Sequence, residues 1–324
     1  MPSIENERSH GVSSWSPSER DTALLDALRD HRSRLGDAFP RIALFLFDCP
    51  DAEALRKILD RIPDPLPSGF EEVVVMQDRP APNEFDLPPD LAAGRPYALQ
   101  VHRIPRDYGH GGERKAAFEY ALRRGFDFAV FMRGDGFDPP EALPSLLHPA
   151  LLEGRQLVTA PRPRSSLSAR RAAARWLASA FQNAVLGLRL RDLHASMRVY
   201  ALSAVKCAPF QLNANDALFD AHLLMQFRAL GVVAFEVPIA VPSGGPDVEH
   251  ERFAHLRTCW AAVDYRLHQL HVTQQGRYLV ERDVHYTLKS SATGSHMQIV
   301  GAIREGSRVL DLGCSQGLLA RPLR

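Results

Sequence analysis

Short apolar runs alternate along the chain with segments in which apolar residues recur every three or four positions. The apolar runs, with the length and composition of strands, lie at 41–47, 71–78, 96–104, 127–132, 155–161 and 233–241. The segments with helical spacing lie at 19–35, 51–62, 111–125, 139–154, 167–188, 217–231 and 251–271. Continuous apolar runs are typical of strands covered on both faces. The alternation predicts an α/β domain with a mainly parallel central sheet.

Local signals refine the boundaries of several helices. Gly125 stands where a glycine commonly ends a helix. Asp138 precedes two prolines and a glutamate, which is the pattern of a helix N-cap, so we interpret Asp138 as a capping residue. Pro144 and Pro149 are expected to break or kink the helix that follows.

The pattern divides the chain into four parts. Residues 1–38 begin with a polar, serine-rich stretch and predict an N-terminal extension, partly disordered with one helix. Residues 39–245 form the predicted α/β domain, and residues 246–296 predict a helical linker. Residues 297–324 end in a pattern of strand, glycine turn and helix start.

Composition narrows the class of protein. The formal net charge is +1 over 324 residues, so no overall field favours nucleic acid or anionic lipid, and we expect no nucleic-acid partner. The four cysteines form no CxxC pair, which argues against a disulfide framework or a zinc site and suits a reduced compartment. The N-terminus lacks an apolar signal region and no run reaches membrane-spanning length, so we expect a cytoplasmic protein.

Two aspartates follow apolar strands and are candidates for chemistry. In open α/β sheets, ligands bind beyond the carboxyl ends of the strands, where Asp78 and Asp135 are expected. Asp135 stands in the sequence Arg133-Gly134-Asp135. Hard cations such as Mg²⁺ share oxygen ligands with substrate phosphates, so one carboxylate can be enough for a metal site. The alternative is an ordinary turn aspartate.

Three blocks in a fixed order resemble family 2 glycosyltransferases of the GT-A fold. They read DYGHGGERKAAFEYALRRGFDFAVFMRGDGFDPPE, DLHASMRVY and LFDAHLLMQFRALGVVAFEVPI, and the likeness spans residues 40–241. The chain most resembles the branch of dolichyl-phosphate and other polyprenyl-phosphate sugar transferases. The resemblance implies a GT-A nucleotide-sugar-binding domain.

The resemblance also implies roles for single positions. The family's DxD metal motif corresponds to Arg133-Gly134-Asp135, so Asp135 alone would hold Mg²⁺ or Mn²⁺. The Phe-Asp pair at the head of a later helix makes Asp220 the candidate catalytic base. The positions that correspond to donor-binding residues of the family are Asp78, Gly109, Gly111, Gly112, Lys115, Arg133, Gly134, Ser196 and Arg198.

Each role has a structural alternative. The only role of the Asp220 carboxylate could be a favourable interaction with the positive end of the dipole of its helix. Arg198 could be a surface ion-pair partner, although an arginine beside the Ser196 hydroxyl suits phosphate binding. The glycines 109–112 could form an ordinary turn or cradle a phosphate at a helix start.

A basic cluster suggests a further partner. Arginines at this density are most often a solvated surface, and the alternative is a site for a lipid-phosphate acceptor, with the protein peripheral at a membrane surface. The cluster comprises Arg162, Arg164, Arg170, Arg171 and Arg175.

The expected activity is transfer of a sugar from a nucleotide diphosphate sugar to an acceptor hydroxyl or phosphate, metal-assisted and inverting. Two departures from the family pattern leave an alternative open: the first strand ends in FDCPDAE, and the metal motif reads Arg133-Gly134-Asp135. The alternative is a degenerate transferase that acts as a binding module, in which Arg133 replaces the cation.

A second resemblance lies at the end of the chain. VLDLGCSQG (309–317) is similar to the first motif of class I methyltransferases that use S-adenosylmethionine, with Asp311, Gly313 and Gly317 at the matching positions. A doubly wound domain needs several strands. We therefore expect the truncated start of a Rossmann-like domain, which would bind S-adenosylmethionine only if complete, and no methyl transfer from this chain. A bifunctional glycosyltransferase/methyltransferase is the corresponding alternative.

Overall fold

The computed structural model describes residues 21–22, 24–26, 39–78, 85–161, 169–193, 195–239, 254–280, 295–304 and 306–310. The chain divides into two compact units, Met1–Val280 and Glu281–Arg324.

A seven-stranded sheet forms the centre of the first unit. Its strands are β1 (Ile42–Phe47), β2 (Glu72–Asp78), β3 (Ala98–Ile104), β4 (Phe128–Arg133), β5 (Leu157–Thr159), β6 (Arg198–Ala201) and β7 (Ala234–Glu236). Their order is β3-β2-β1-β4-β6-β5-β7. All neighbours pair in parallel except β6, which is antiparallel to both β4 and β5. The sheet is therefore mixed and mainly parallel, as predicted.

Burial of both faces explains why the strands are continuously apolar. In β1, Ala43, Phe45 and Phe47 belong to one hydrophobic cluster and Ile42, Leu44 and Leu46 to the other. Successive side chains of a strand point to opposite faces, so each face of β1 is covered by its own layer of helices. The result is a three-layer α/β/α arrangement.

The helices of the first unit are α1 (Ala52–Leu59), α2 (Pro89–Ala92), α3 (His110–Arg124), α4 (Leu143–Leu152), α5 (Ala169–Leu186), α6 (Leu202–Lys206), α7 (Leu218–Leu230) and α8 (Ala254–Gln269). Short 3₁₀ helices lie at Leu66–Gly69, Pro140–Ala142, Phe210–Leu212 and Gly276–Tyr278. Helix α9 (Ser295–Ala302) lies in the second unit.

The helices separate into two layers. Residues of α3, α6, α7 and α8 belong to one cluster with the odd-numbered side of β1. Residues of α1 and α4 belong to the other, together with Leu24 and Leu25 of the N-terminal helical turn. Asp21 in that turn accepts a hydrogen bond from Ser145 of α4. The predicted N-terminal helix thus packs on the α/β domain.

Helix α8 also belongs to the first unit. Its Ala262 and Tyr265 are buried in the same cluster as α7, and the first unit continues to Val280. The helix predicted within the linker 246–296 is therefore part of the body of the α/β domain.

The structure corrects several local predictions. The apolar pattern does not predict β6, because four residues are too few for a period and the first, Arg198, is charged. Helix α4 continues through Pro149 and has Pro144 in its first turn, so neither proline breaks it. Asp138 is not the helix cap: Pro139 precedes the 3₁₀ turn Pro140–Ala142, and no side chain caps that turn or α4.

The strand expected near the end of the chain does not form over residues 307–310, which are irregular. Val309 is 49% exposed and Leu310 82% exposed. The described part of this unit offers no partner strand, and a single strand has no ladder to stabilise it. Asp311, Gly313 and Gly317 lie outside the described residues.

Candidate active site

The candidate site lies where four segments meet at the carboxyl edge of the sheet. Phe47, the last residue of β1, pairs with Arg133, the last residue of β4, so the loops after both strands start side by side. Because β6 is antiparallel, its first residue Arg198 pairs with Phe131 near the same edge. The first turns of α3 and α7 complete the site through His110 and Asp220.

The loop after β4 turns back on its own arginine. Arg133 Nε donates to Asp135 Oδ2 at 3.0 Å, and its Nη2 contacts the same oxygen. Asp135 Oδ1 accepts from the Phe137 backbone N–H at 3.2 Å. Partial burial lowers the pKa of Arg133, but the hydrogen bond to Asp135 and the nearby carboxylates outweigh it, so the net pKa is raised. Arg133 and Asp135 therefore form an ion pair in this structure.

Gly134 lets this loop lie against the end of β1. Its N–H donates to Phe47 O at 2.5 Å. A Cβ at this position would stand 2.8 Å from Cys49 Cβ, which is too close for a van der Waals contact, and 3.1 Å from Phe47 O, which is a tight contact. The glycine is required by packing between the two loops.

Asp138 joins the β4 loop to the loop before β6. Its Oδ2 accepts from the Arg133 backbone N–H at 2.9 Å, and its Oδ1 accepts from Ser196 Oγ at 2.6 Å. The side chain is 3% exposed. The carboxylate thus holds the predicted donor-binding segments together, which is a different role from the helix cap that the sequence suggested.

Arg198 is an interior residue. It is 2% exposed, and its guanidinium donates to Leu193 O at 2.7 Å and Ala195 O at 2.9 Å. Its Nη1 lies 3.3 Å from Tyr200 Oη and 3.4 Å from Asp220 Oδ1. In this conformation the guanidinium positions Asp220 and the loop before β6, and its binding to a donor phosphate stays a prediction.

Asp220 lies between two basic groups. Its Oδ1 faces Arg198, and its Oδ2 lies 2.8 Å from His110 Nε2. Burial by itself raises the pKa of Asp220, but the charge of Arg198 and the interaction with His110 outweigh burial, so the pKa lies far below its usual value. The group is a buried carboxylate that stays ionised.

Two residues of this edge escape prediction from the sequence. His110 stands in the glycine-rich turn, and Asp48 directly follows β1 with φ +55°. The charge of Asp48 acts to raise the pKa values of both His110 and Arg133, so its carboxylate is within electrostatic reach of both side chains. The rule that selected Asp78 and Asp135, an aspartate at a strand end, also selects Asp48.

The glycine-rich turn is held by the segment before α7. Gly111 N donates to Asn215 O at 2.7 Å, and Gly109 N donates to Asp107 Oδ1 at 2.7 Å. A Cβ at Gly109 would stand 2.8 Å from Asn215 O, and a Cβ at Gly111 would stand 2.4 Å from Ala214 O. Close packing thus accounts for these glycines, and phosphate binding by the turn stays a prediction.

Lys115 lies one turn further along α3. Its Nζ donates to Asn213 O at 2.5 Å and Asn215 Oδ1 at 2.6 Å. Burial and the charge of Arg277 lower its pKa. Lys115 lines an open cleft of about 270 Å³ together with Gly112, Tyr108 and His102. This cleft is the concave surface next to the glycine-rich turn.

Other predicted residues are placed only in part. Asp78 ends β2 and pairs with Ile104, and its side chain lies outside the described part of the structure. The arginine side chains of the basic cluster do too. Within the described residues, no group of three His, Cys, Asp or Glu side chains could hold a metal ion. In the same residues, no helix is long and apolar enough to cross a membrane.

Comparison with known proteins gives this arrangement a context. No protein-family model matches the chain. The undecaprenyl-phosphate mannosyltransferase of Micrococcus luteus is 28% identical over 200 residues, which are 58% of this chain and 78% of that protein. The glucosyl-3-phosphoglycerate synthase of Mycobacterium tuberculosis superimposes with a TM-score of 0.53 at 20% identity, over 78% of this chain and 86% of that one. This chain is a homologue of GT-A glycosyltransferases.

Structures of the same synthase differ in what they contain. One holds Mn²⁺, uridine diphosphate and phosphoglyceric acid and matches this glycosyltransferase homologue with a TM-score of 0.52 at 19% identity, over 78% of this chain and 84% of that one. At this identity the match shows the fold, and it confirms the α/β architecture of GT-A type with a mixed, mainly parallel sheet. The predicted likeness to methyltransferases gains no support from these matches.

Proposed function

We propose that this glycosyltransferase homologue transfers a sugar from a nucleotide diphosphate sugar to an acceptor hydroxyl or phosphate. The observation that supports this proposal is that two groups of charged side chains, His110 with Asp220 and Arg133 with Asp135, lie at the carboxyl edge of the sheet although they come from separate parts of the chain. This edge is where open α/β sheets bind ligands. The mannosyltransferase of Micrococcus luteus supports the reaction type and suggests polyprenyl phosphates among the acceptors to test.

A divalent cation fits this edge only in company with the donor. Asp135 is the predicted ligand, and both of its oxygens already accept hydrogen bonds from the chain. No described residues complete a three-ligand cluster around it. A cation would therefore be held between Asp135 and the donor diphosphate, with Arg133 moved aside, and would offset charge on the departing diphosphate. Complexes of the Mycobacterium tuberculosis synthase with Mn²⁺ or Mg²⁺ support this proposal.

The residues of the site have different roles in the proposed sugar transfer. Arg133 supplies positive charge beside the donor phosphates, and Asp138 fixes the backbone that presents it. Gly109, Gly111, Gly112 and Lys115 border the cleft and the helix start proposed to receive the donor. The acceptor proton passes to the pair of Asp220, the residue that the sequence predicts as catalytic base, and His110.

A second candidate is a binding module in which Arg133 takes the place of the metal. The observation that favours it is the ion pair of Arg133 with Asp135, because a fixed guanidinium can neutralise phosphate charge without a cation. In this case nucleotide binding would be independent of divalent metal and of Asp135.

One calorimetric experiment tests both candidates. The protein is titrated with UDP-, GDP- and dTDP-sugars in Mn²⁺, then in EDTA, and any donor that binds is incubated with undecaprenyl phosphate or a sugar alcohol. The transferase proposal expects binding of one donor, loss of affinity by about tenfold or more in EDTA and in Asp135→Ala, and a glycosylated product. Control titrations use Asp264→Ala, which removes a carboxylate on α8 far along the chain from these loops.

The outcomes separate the candidates. Binding that neither EDTA nor Asp135→Ala weakens, without product, would favour the binding module. A folded protein that binds none of these donors would rule out both.

A further inference from the structure

The histidine of the glycine-rich turn has the features that a proton acceptor needs. His110 is the first residue of α3, and its side chain is 38% exposed at the edge of the sheet. The Asp220 side chain behind it is 12% exposed. An acceptor molecule that approaches from solvent therefore reaches the imidazole before it reaches the carboxylate.

Asp220 is poorly suited to take the proton itself. Arg198 and His110 occupy one carboxylate oxygen each, at 3.4 Å and 2.8 Å. Both neighbours stabilise the ionised form, and a carboxylate stabilised in this way is a weak base. Its position matches that of a group that orients an imidazole from behind.

The hydrogen bond also defines the tautomer of His110. An ionised carboxylate only accepts hydrogen bonds, so His110 Nε2 carries the proton that points at Asp220 Oδ2. The lone pair is then on Nδ1. Within the described residues, Nδ1 has no hydrogen-bond partner, so it is available to a ligand.

We infer that His110 Nδ1 accepts the proton of an acceptor hydroxyl and that Asp220, held by Arg198, is the positioning residue for His110. This inference rests on the proposed sugar transfer and narrows its acceptor to an alcohol. A phosphate acceptor is already ionised near neutral pH and needs no base.

The charges around His110 keep it able to accept a proton at neutral pH. Burial is the main cause of a lowered pKa, and Arg114 of the same helix adds to it. Asp220 of α7 and Asp48 after β1 act in the opposite direction without cancelling the effect. The imidazole is therefore neutral at pH 7 and becomes charged below its usual pKa.

The chemical step balances within the proposed site. The acceptor oxygen forms a bond to the anomeric carbon as its proton passes to His110 Nδ1. The bond from the anomeric carbon to the diphosphate oxygen breaks, and its electron pair leaves with the nucleoside diphosphate. The proton on the imidazolium returns to solvent through the exposed edge of the ring.

The test uses the full chain, the donor found by the calorimetric panel, and water or glycerol as the hydroxyl acceptor. Release of nucleoside diphosphate is measured between about pH 5 and pH 9 for the wild type, His110→Asn, Asp220→Asn and His271→Asn. His271 is an exposed histidine with φ +60°, a conformation that asparagine tolerates, and serves as the matched control.

We expect His110→Asn to bind donor normally, to lose about 100-fold in rate and to lose the acidic limb of the pH profile. In the wild type that limb lies below pH 6.5, the usual histidine value. Asp220→Asn removes a charge that raises the pKa of His110, so its residual activity should keep the limb at a lower pH. The melting temperature of Asp220→Asn identifies any loss from misfolding.

Three results would overturn the inference. The first is a His110→Asn variant with the wild-type rate and pH profile. The second is an acidic limb that disappears in Asp220→Asn while His110→Asn keeps it, since Asp220 would then be the base. The third is transfer to undecaprenyl phosphate at a rate that His110→Asn leaves unchanged. If no donor binds or turns over, the proposed transfer fails first, and the role of His110 fails with it.

Discussion

At the scale of single residues, the type of a residue and its neighbours in the sequence do not reveal which side chains it contacts in this site. Asp138 and Asp135 both follow β4; the local pattern assigned the first to a helix cap, and the family resemblance assigned the second to a metal. The structure gives Asp138 a buried link between Arg133 and Ser196, and pairs Asp135 with Arg133. The deciding partners of Asp138 include a side chain that lies 58 positions away in the sequence.

Gly134 offers a test of the packing between the loops after β1 and β4. Gly134→Ala would bring Cβ within 2.8 Å of Cys49 Cβ and 3.0 Å of Cys49 Cα, and backbone cannot give way as a flexible side chain does. We expect a loss of about 1–3 kcal/mol in the free energy of unfolding, measured by urea denaturation.

Gly301 on α9 is the control for this substitution. Nothing lies within 4 Å of a Cβ added there, so Gly301→Ala should be neutral or stabilise its helix. An equally small effect of both substitutions would contradict the close approach of the two loops.

At the scale of elements, α7 contributes buried polar groups to two places. Its first turn presents Asp220 to the site, and His222 two residues later packs beside Tyr278 with ring centroids 6.1 Å apart. The Ala214 backbone N–H donates to His222 Nδ1 at 3.3 Å. Through these contacts α7 joins the site to the segment that follows α8.

The buried His222 predicts a loss of stability in acid. Burial and then the charge of Arg277 lower its pKa to about 4. Between this value and the usual 6.5 the unfolded chain binds a proton that the folded chain excludes, so stability is full above pH 6.5 and falls as the pH decreases. We expect a loss of about 2 kcal/mol between pH 7 and pH 5, measured by denaturant titration.

A variant isolates this contribution from that of the other histidines. His222→Gln should show a smaller fall between the same pH values, because its side chain does not titrate. An unchanged pH dependence in this variant would assign the acid sensitivity to other groups.

At the scale of the whole molecule, the α/β domain extends beyond its sheet. Thr258, Ala262 and Tyr265 of α8 and Tyr278 are buried in the first unit, which ends at Val280. Gln226 of α7 donates to Arg277 O at 2.7 Å, an additional link to this segment. The predicted linker therefore includes part of the hydrophobic core.

Truncation tests this extent. A chain of residues 1–280 should keep the melting temperature of the first unit and bind the donor as the full chain does. A chain of residues 1–245 should melt at a lower temperature or fail to fold, because it exposes the surface of α7 that α8 and Tyr278 cover. Circular dichroism provides the measurement, and equal melting curves for both truncations would contradict the role of α8.

The sequence by itself determined the architecture: alternating apolar runs and helical periods predicted six of the strands, the main helices and the mainly parallel sheet. Such patterns are local, because a strand that is buried on both faces must be apolar along its own length. Aspartates directly after apolar strands also indicated which edge of the sheet holds the candidate site.

Only the tertiary structure decided the short antiparallel β6 and the partners of the charged residues. Arg198 with Asp220, Asp138 with Ser196 and His110 with Asp220 are contacts between segments distant in the chain. No local period records such a contact, since its free energy depends on burial and charge that exist only once the segments have packed together.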